Sequence, residues 1–167
     1  MRAIALTRYL PIDDPDSLAD VELDKPQPQG HDLLVAIKAI AVNPVDTKVR
    51  APKDKVEASP RVLGWDAAGI VEAVGSKVTL FKIGDEVFYA GDITRPGTNS
   101  EFQLVDERIV GSKPKSLDFA QSAAFPLTAI TAYEAFFDRL GIDVDGANGG
   151  DTLLIIEIGR ASCRERV

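Results

Sequence analysis

The stretch Gly64–Gly75 (GWDAAGIVEAVG), followed by Phe81–Val87 (FKIGDEV), decides the fold of this 167-residue chain. Its three glycines permit tight turns and a close backbone approach around one short strand. The second segment predicts a turn at Gly84 that leads into another strand. Short strands punctuated in this way are typical of a small β-barrel or sandwich.

The chain around this stretch is rich in strand-like segments up to about residue 112. Asp32–Val42 (DLLVAIKAIAV) is apolar on nearly both faces, which predicts a central strand. Asn43–Arg50 predicts one short helical turn, and Asp54–Arg61 predicts a polar loop. Further strands are predicted over Arg2–Arg8, Leu18–Asp24, Ala68–Val74, Lys77–Phe81, Glu86–Ala90, Ser100–Asp106 and Ile109–Ser112.

The pattern becomes helical after Pro114. Helices are predicted over Ser116–Ala124 and Leu127–Leu140, with Pro126 in the first turn of the second helix and Gly141 as its stop. A loop then leads to a lone apolar strand at 152–156. The expected fold class is therefore mainly β with helices (α+β), a barrel followed by helices and one further strand.

The last residues, Glu157–Val167 (EIGRASCRERV), differ in character from the chain that precedes them. An apolar strand after a helix usually opens a nucleotide-binding βαβ unit, and a glycine-rich turn should follow it. A basic polar stretch follows instead, and it resembles the translation of a sequencing-library adapter. We therefore interpret 1–125 as the barrel, 126–156 as a linking helix and the first strand of an incomplete nucleotide-binding domain, and 157–167 as a non-native tail.

The composition excludes several classes of partner. The net charge of −7 argues against nucleic acid and anionic membrane surfaces. The sequence has no secretory signal and no apolar run long enough to span a bilayer. Cys163 is the only cysteine and lies in the tail, so neither a disulfide framework nor a cysteine-built metal site is expected, and a cytoplasmic location is the default.

Four segments together resemble one known family: the two glycine segments above, Asn43–Asp46 (NPVD) and Pro126–Glu134 (PLTAITAYE). They resemble the medium-chain dehydrogenase/reductase superfamily, in its GroES-like catalytic domain. The last two are similar to the quinone oxidoreductase branch and to the zinc-type alcohol dehydrogenase-like proteins. The resemblance covers the chain to about Ile156 and implies a truncated enzyme whose Rossmann domain is missing.

The resemblance implies an NADPH-dependent oxidoreductase that transfers hydride to quinones or α,β-unsaturated carbonyls. Its partners would be a small carbonyl or quinone substrate and, in the parent, further copies of itself as a homo-oligomer. The fragment alone is expected to be inactive, because no G-x-G-x-x-G turn is present to hold pyrophosphate. Two alternatives remain: a stand-alone GroES-like barrel that acts as a binding module, and a chain that is unstable from about Gly141 onward.

Asn43 and Tyr89 are the candidate catalytic residues. Asn43 follows a buried strand, where its amide either caps the helix at 44–50 or, by the resemblance, lines the nicotinamide and substrate pocket; both roles can hold together. Tyr89 ends a strand, either as a pocket wall or proton donor or as a barrel aromatic. By the resemblance Thr131 contacts the nicotinamide carboxamide with Thr128 nearby, and helix capping and packing is the alternative for both.

The sequence predicts no metal site. In zinc-dependent members of the resembled family, a Cys stands at the place of Asn43, a His at Trp65 and another Cys within 126–131, and this chain has none of the three. Asp66 replaces a glutamate beside the metal and cannot hold zinc alone. Trp65 and Asp66 are instead candidates for the substrate pocket, and His31 is interpreted as a solvated turn residue.

Overall fold

The computed structural model describes residues 1–146 and, beyond them, residues 152 and 154. The chain divides into two compact units, Met1–Pro126 and Leu127–Val167. The strand predicted at 152–156 lies largely outside the described residues, and the tail at 157–167 lies wholly outside them. The prediction of instability beyond Gly141 falls mostly on residues that are not described.

The strands of the first unit follow the glycine punctuation of the sequence. In chain order, β1 to β8 cover Arg2–Tyr9, Ala19–Glu22, Asp32–Ala41, Lys53–Val62, Asp66–Val74, Glu86–Ala90, Phe102–Asp106 and Gly111–Ser112. The helices α1 to α3 cover Pro44–Arg50, Phe119–Ala123 and Pro126–Tyr133, and a π-helical segment over Glu134–Arg139 continues α3. The predicted α+β class, mostly strand with few helices, is confirmed.

The strands form two antiparallel sheets, ordered β2-β1-β4 and β7-β3-β5-β6-β8. The predicted central position of β3 is confirmed, because it pairs with β5 on one side and β7 on the other. Leu33 and Val35 of β3 are fully buried and pack with Val71, Val87 and Tyr89 in one core cluster. This apolar layer supports the end of β3 and the beginning of β5, which carry the candidate site.

The segment Asp54–Arg61, predicted as a polar loop, is part of β4, so this prediction is wrong. Within the described residues β4 pairs only with β1, at the edge of its sheet. Charged side chains and Pro60 are tolerated there because one side of an edge strand needs no ladder partner. The register shifts between Leu6 and Arg8 of β1, where β4 accommodates extra residues.

The segment Lys77–Phe81, predicted as a strand, forms turns, so this prediction is also wrong. The N–H groups of Thr79 and Leu80 donate to the carboxylate of Glu107 at 2.9 and 2.7 Å. Backbone donors bound to a side chain cannot build a ladder with a neighbouring strand. The apolar residues of this segment therefore pack as a turn.

Glu107 joins three turns of the first unit. Its side chain is 2% exposed, and its Oε1 lies 2.7 Å from Nδ1 of His31. This hydrogen bond, followed by those from the two backbone N–H groups, lowers the pKa of Glu107. His31, predicted to be a solvated turn residue, is half-exposed but bound to a buried carboxylate, so that prediction is corrected.

Candidate functional site

Asn43 and Asp66 form a buried pair at the ends of two neighbouring strands. Asn43 lies two residues after Ala41, the last residue of β3, and Ala41 pairs with Asp66 at the beginning of β5. Nδ2 of Asn43 donates to Oδ2 of Asp66 at 2.8 Å. The two residues are 8% and 0% exposed. Because a carboxylate only accepts, the amide nitrogen must face Asp66 and the amide oxygen must point away from it.

Asn43 is also the residue that precedes α1. Its backbone is extended, and its N–H donates to Oδ2 of Asp46 at 2.7 Å. Burial raises the pKa of Asp46, although the backbone hydrogen bonds act in the opposite direction. The backbone of Asn43 therefore takes part in capping while its side chain binds Asp66, so the two roles left open for Asn43 are compatible.

Trp65 lies in the core beside this pair. It is buried in a cluster with Leu6, Tyr9 and Leu63, against which Val45 of α1 also packs. Among the described residues, its Nε1 is buried without a hydrogen-bond partner. An indole N–H of this kind is costly to bury and is a donor that a ligand group could satisfy.

The loop that contains Gly91 and residues 97–99, which was not predicted as part of the site, binds the segment 63–65 that carries Trp65. N–H groups of Gly91, Thr98 and Asn99 donate at 2.9 Å to the carbonyls of residues 65, 64 and 63, respectively. A Cβ on Gly97 would lie 2.2 Å from the carbonyl oxygen of Leu63, so only glycine permits this approach.

Tyr89 lies in the core of the second sheet. Its hydroxyl donates to Oε1 of Gln103 at 2.8 Å, and Nε2 of Gln103 donates to the carbonyl of Pro96 at 2.9 Å. Burial raises the pKa of Tyr89. The structure thus favours the barrel-aromatic interpretation, and the role of Tyr89 as a proton donor stays a prediction. Gln103 was not predicted as a site residue, because a single glutamine within a strand forms no recognisable motif.

Thr128 and Thr131 lie on α3 in the second unit. Thr128 is half-buried, whereas Thr131 is exposed and its Oγ1 donates to the carbonyl of Leu127 at 2.8 Å. A threonine hydroxyl that bonds to the carbonyl four residues earlier is a common arrangement within helices. The proposed contact of both residues with a nicotinamide stays a prediction.

The donor set at the site does not fit zinc. Asn43 directs an amide N–H at a carboxylate, and Trp65 offers an indole N–H, and neither is a zinc ligand. Among residues 1–146, 152 and 154, no three His, Cys, Asp or Glu side chains are placed to share a metal ion. No helix in the described part of the chain is long and apolar enough to cross a membrane.

A groove of about 560 Å³ lies along β1 and the second half of β3. Ile37, Ile40 and Val42 line it, together with the ion pair of Arg2 and Glu101. Asn43 and Asp66 are not among its lining residues. We place the candidate site at the buried pair, because convergent polar groups carry chemistry and an open groove alone does not.

The chain matches known proteins over most of its length. Residues 29–116 match the alcohol dehydrogenase GroES-like domain. A zinc-type alcohol dehydrogenase-like protein of Staphylococcus epidermidis is 45% identical over 158 residues, which are 93% of this chain and 46% of that protein. The chain therefore spans about half the length of the curated relatives it matches.

Solved structures share the fold. A Rhizobium etli protein assigned to the zinc-dependent alcohol dehydrogenases superposes with a TM-score of 0.81 at 61% identity, over 88% of this chain and 43% of that one. The Escherichia coli quinone oxidoreductase complexed with NADPH superposes with a TM-score of 0.67 at 27% identity, over 84% and 41%.

Proposed function

The chain belongs to the medium-chain dehydrogenase/reductase superfamily, and on that premise we propose that it is part of an NADPH-dependent oxidoreductase. The proposed substrates are quinones and α,β-unsaturated carbonyls, because the donor set at Asn43 and Trp65 does not suit a zinc-activated alcohol. Similarity to a quinone oxidoreductase complexed with NADPH supports this choice of coenzyme. We further propose a cytoplasmic, homo-oligomeric parent enzyme.

The buried Asn43–Asp66 pair is the observation that carries this function. A bound nicotinamide supplies hydride. Asp66 fixes the amide of Asn43 through the 2.8 Å hydrogen bond, so the amide loses no orientation entropy when substrate arrives. We propose that the second N–H on Nδ2 donates to the substrate oxygen, where negative charge develops, and that the amide oxygen faces the coenzyme.

The other candidate residues take supporting roles in this proposal. Trp65 forms a pocket wall, and its Nε1, which lacks a partner among the described residues, is available to a ligand oxygen. Thr128 and Thr131 contact the nicotinamide carboxamide. Tyr89 has a structural role, in which its hydroxyl orients Gln103 and Gln103 holds the loop at Pro96, with direct proton donation as the alternative.

Steady-state NADPH oxidation by the full-length parent enzyme tests this function. With 1,4-benzoquinone and 3-buten-2-one as substrates, we expect turnover that a chelator does not change. Asn43→Ala should lower kcat/KM by about 100-fold or more, as loss of an oxyanion donor does. The exposed neighbouring change Val42→Ala is the control and should have little effect. Chelator-sensitive activity, or an unchanged Asn43→Ala enzyme, would contradict the proposal.

The 167-residue chain itself is proposed to be inactive with NADPH. A binding module without chemistry remains the competing function. Chromosomal DNA read past codon 156 distinguishes the two: we expect it to encode a glycine-rich turn and a further domain. An NADPH titration of the purified chain that showed tight binding would contradict the proposed inactivity.

A further inference from the structure

A group of charged side chains converges on Tyr9, whose ring packs in the same core cluster as Trp65. We define the Tyr9 patch as Tyr9, Lys53, Lys55, Glu57 and Arg61. Arg61 Nη1 donates to the Tyr9 hydroxyl at 2.8 Å, and that hydroxyl donates to Glu57. Lys55 Nζ donates to Glu57 at 2.8 Å, and Lys53 Nζ lies 4.0 Å from the centre of the Tyr9 ring.

The edge strand β4 explains how these groups meet. Lys53, Lys55 and Glu57 occupy alternate positions of β4, and alternate residues of a strand share one face. Tyr9 itself is buried in the cluster that contains Trp65, so its ring is a fixed platform for the cations. The patch therefore places exposed lysine side chains beside the hydroxyl of a buried tyrosine.

The charge of the patch is opposite to that of the protein. Its three cations and one carboxylate leave a net charge of +2, in a chain whose net charge is −7. The hydrogen bond from Lys55, followed by that from Tyr9, lowers the pKa of Glu57 to about 2. The surroundings of this carboxylate are thus arranged to hold a negative charge, and they hold more positive charge than Glu57 neutralises.

Arg61 gives the patch a geometry suited to oxyanions. Among the described residues, hydrogen bonds engage only its Nη1, and its side chain is 30% exposed. A guanidinium fork matches the paired oxygens of a carboxylate or phosphate. Exposed lysine pairs alone contribute little, so the fixed Tyr9 hydroxyl and the arginine fork are what distinguish this patch from an ordinary charged surface.

We propose that the Tyr9 patch is an oxyanion-binding site for the carboxylate or phosphate group of a small molecule. Glu57 occupies the position that this group would take. A ligand oxyanion displaces Glu57, accepts from the Tyr9 hydroxyl and Lys55, and pairs with Arg61. The site needs neither the coenzyme nor the Asn43–Asp66 pair, so it goes beyond the reductase function.

Amide chemical-shift titrations of the 167-residue chain test the site. The probes are inorganic phosphate and succinate, each against sodium chloride at matched ionic strength. We expect saturable shifts at the amides of Tyr9, Lys55 and Arg61 with one or both probes. Saturation by phosphate alone, succinate alone or both supports the proposal and identifies the class of oxyanion that binds.

Two variants separate the proposed site from general charge attraction. Glu57→Gln removes the competing carboxylate and should tighten binding by about tenfold, since one added unit charge at short range near the surface has roughly this effect. Lys55→Gln, at a side chain that is 52% exposed, should weaken binding several-fold without unfolding the chain. Lys77→Gln, at an exposed lysine on the turn that follows Gly75, is the matched control and should leave affinity unchanged.

Three results would overturn the site. The first is shifts that do not saturate or that sodium chloride reproduces. The second is a Glu57→Gln protein, folded by circular dichroism, that binds no more tightly. The third is a Lys77→Gln protein that loses as much affinity as Lys55→Gln; if Glu57→Gln fails to fold, this comparison alone decides. Coenzyme is absent throughout, so a negative result here leaves the reductase proposal intact.

Discussion

Asn43 shows how much one hydrogen bond settles in this protein. The amide of an asparagine has two possible orientations, and only the nitrogen can face the carboxylate of Asp66. Both side chains are buried, so the pair is costly to break and is not exchanged for water contacts. A single short contact between the ends of two strands thus decides which polar atoms the site can present to a ligand.

Tyr89→Phe distinguishes the two roles of Tyr89. Removing the hydroxyl leaves the Oε1 of Gln103 buried without its donor, so the free energy of unfolding should fall by about 1 kcal/mol. Urea denaturation of the 167-residue chain measures this change. In the full-length enzyme, kcat/KM should change by less than about threefold, because the hydroxyl acts within the core.

Tyr133→Phe is the control for that change. Tyr133 is 54% exposed, so the loss of its hydroxyl should change the free energy of unfolding little. A proton donor behaves differently, and its removal lowers rates by about 100-fold or more. Such a loss of kcat/KM in Tyr89→Phe, with kcat/KM retained in the control, would restore the catalytic interpretation.

Gly69→Ala should disrupt the pairing of β3 with β5. A Cβ at position 69 would lie 2.4 Å from the carbonyl oxygen of Ala36 and 2.7 Å from Cγ1 of Val35. Both neighbours belong to the central strand and cannot move without disturbing the core. We expect the free energy of unfolding to fall by about 2 kcal/mol or more, measured by urea denaturation.

Gly30→Ala is the comparison for the β3–β5 prediction. Gly30 has a φ of 55° and no atom within 4 Å of a built Cβ, so the change tests backbone conformation alone. Gly30→Ala should lower the free energy of unfolding by about 1 kcal/mol, which is less than the loss expected for Gly69→Ala. Equal losses for the two variants would mean that backbone crowding at position 69 is not what requires glycine.

Glu107→Gln should alter the pH dependence of stability. The pKa of Glu107 is lowered from 4.5 in the folded protein, chiefly by the hydrogen bond with His31. The charged carboxylate therefore stabilises the fold fully above about pH 4.5, and this contribution is lost as the pH falls through the folded pKa. Urea denaturation between pH 3 and 7 measures this effect. The difference in free energy of unfolding between the wild type and Glu107→Gln should become smaller at the acidic end.

Other charged groups near the His31–Glu107 contact require a control variant. Asp32 pairs with Asp106 in the β3–β7 register, Asp106 interacts electrostatically with His31, and Arg108 interacts with Glu107. Arg108 also lowers the pKa of Asp106. Asp106→Asn therefore separates their contribution from that of Glu107. An advantage of the wild type that stayed constant from pH 3 to 7 would contradict the assigned role of Glu107.

The elements that the sequence predicted are those with strong local patterns. A long apolar run identified the strand at 32–41, and glycine turns identified the strand at 86–90. The predicted stop of the second helix at Gly141 is confirmed by its φ of 67°. The edge strand β4 was missed because its charged faces look like a loop. The turn at 77–81 was missed because its donors are satisfied by a glutamate that lies far along the chain.

The candidate site was predictable in part. The family resemblance pointed to Asn43, Trp65 and Asp66, and the structure brings these residues together. The resemblance could not reveal that Tyr89 points into the core or that Gln103 accepts a hydrogen bond from its hydroxyl. Both features follow from strand register. A shift of one residue in register exchanges the two faces of a strand, and short strands carry too little pattern to fix it.

The whole chain combines a well-packed first unit with a second unit that begins at Leu127. The three core clusters and β1 to β8 lie within residues 1–126. A chain shortened to 1–126 should therefore unfold cooperatively, with a Tm within about 3 °C of that of the 167-residue chain. Circular dichroism melts of the two proteins at equal concentration measure the difference.

A second shortened chain, ending at residue 115, shows whether the limit lies at the unit boundary. It removes α2, which packs against β3 and β5 and buries Ser122 and Ala123 completely. Uncovering the apolar residues beneath α2 should lower the Tm well below that of the 1–126 protein, because buried apolar area is the main stabilising term in a domain of this size. A 1–126 protein that melted as low as the 1–115 protein, or without cooperativity, would show that the first unit does not fold by itself.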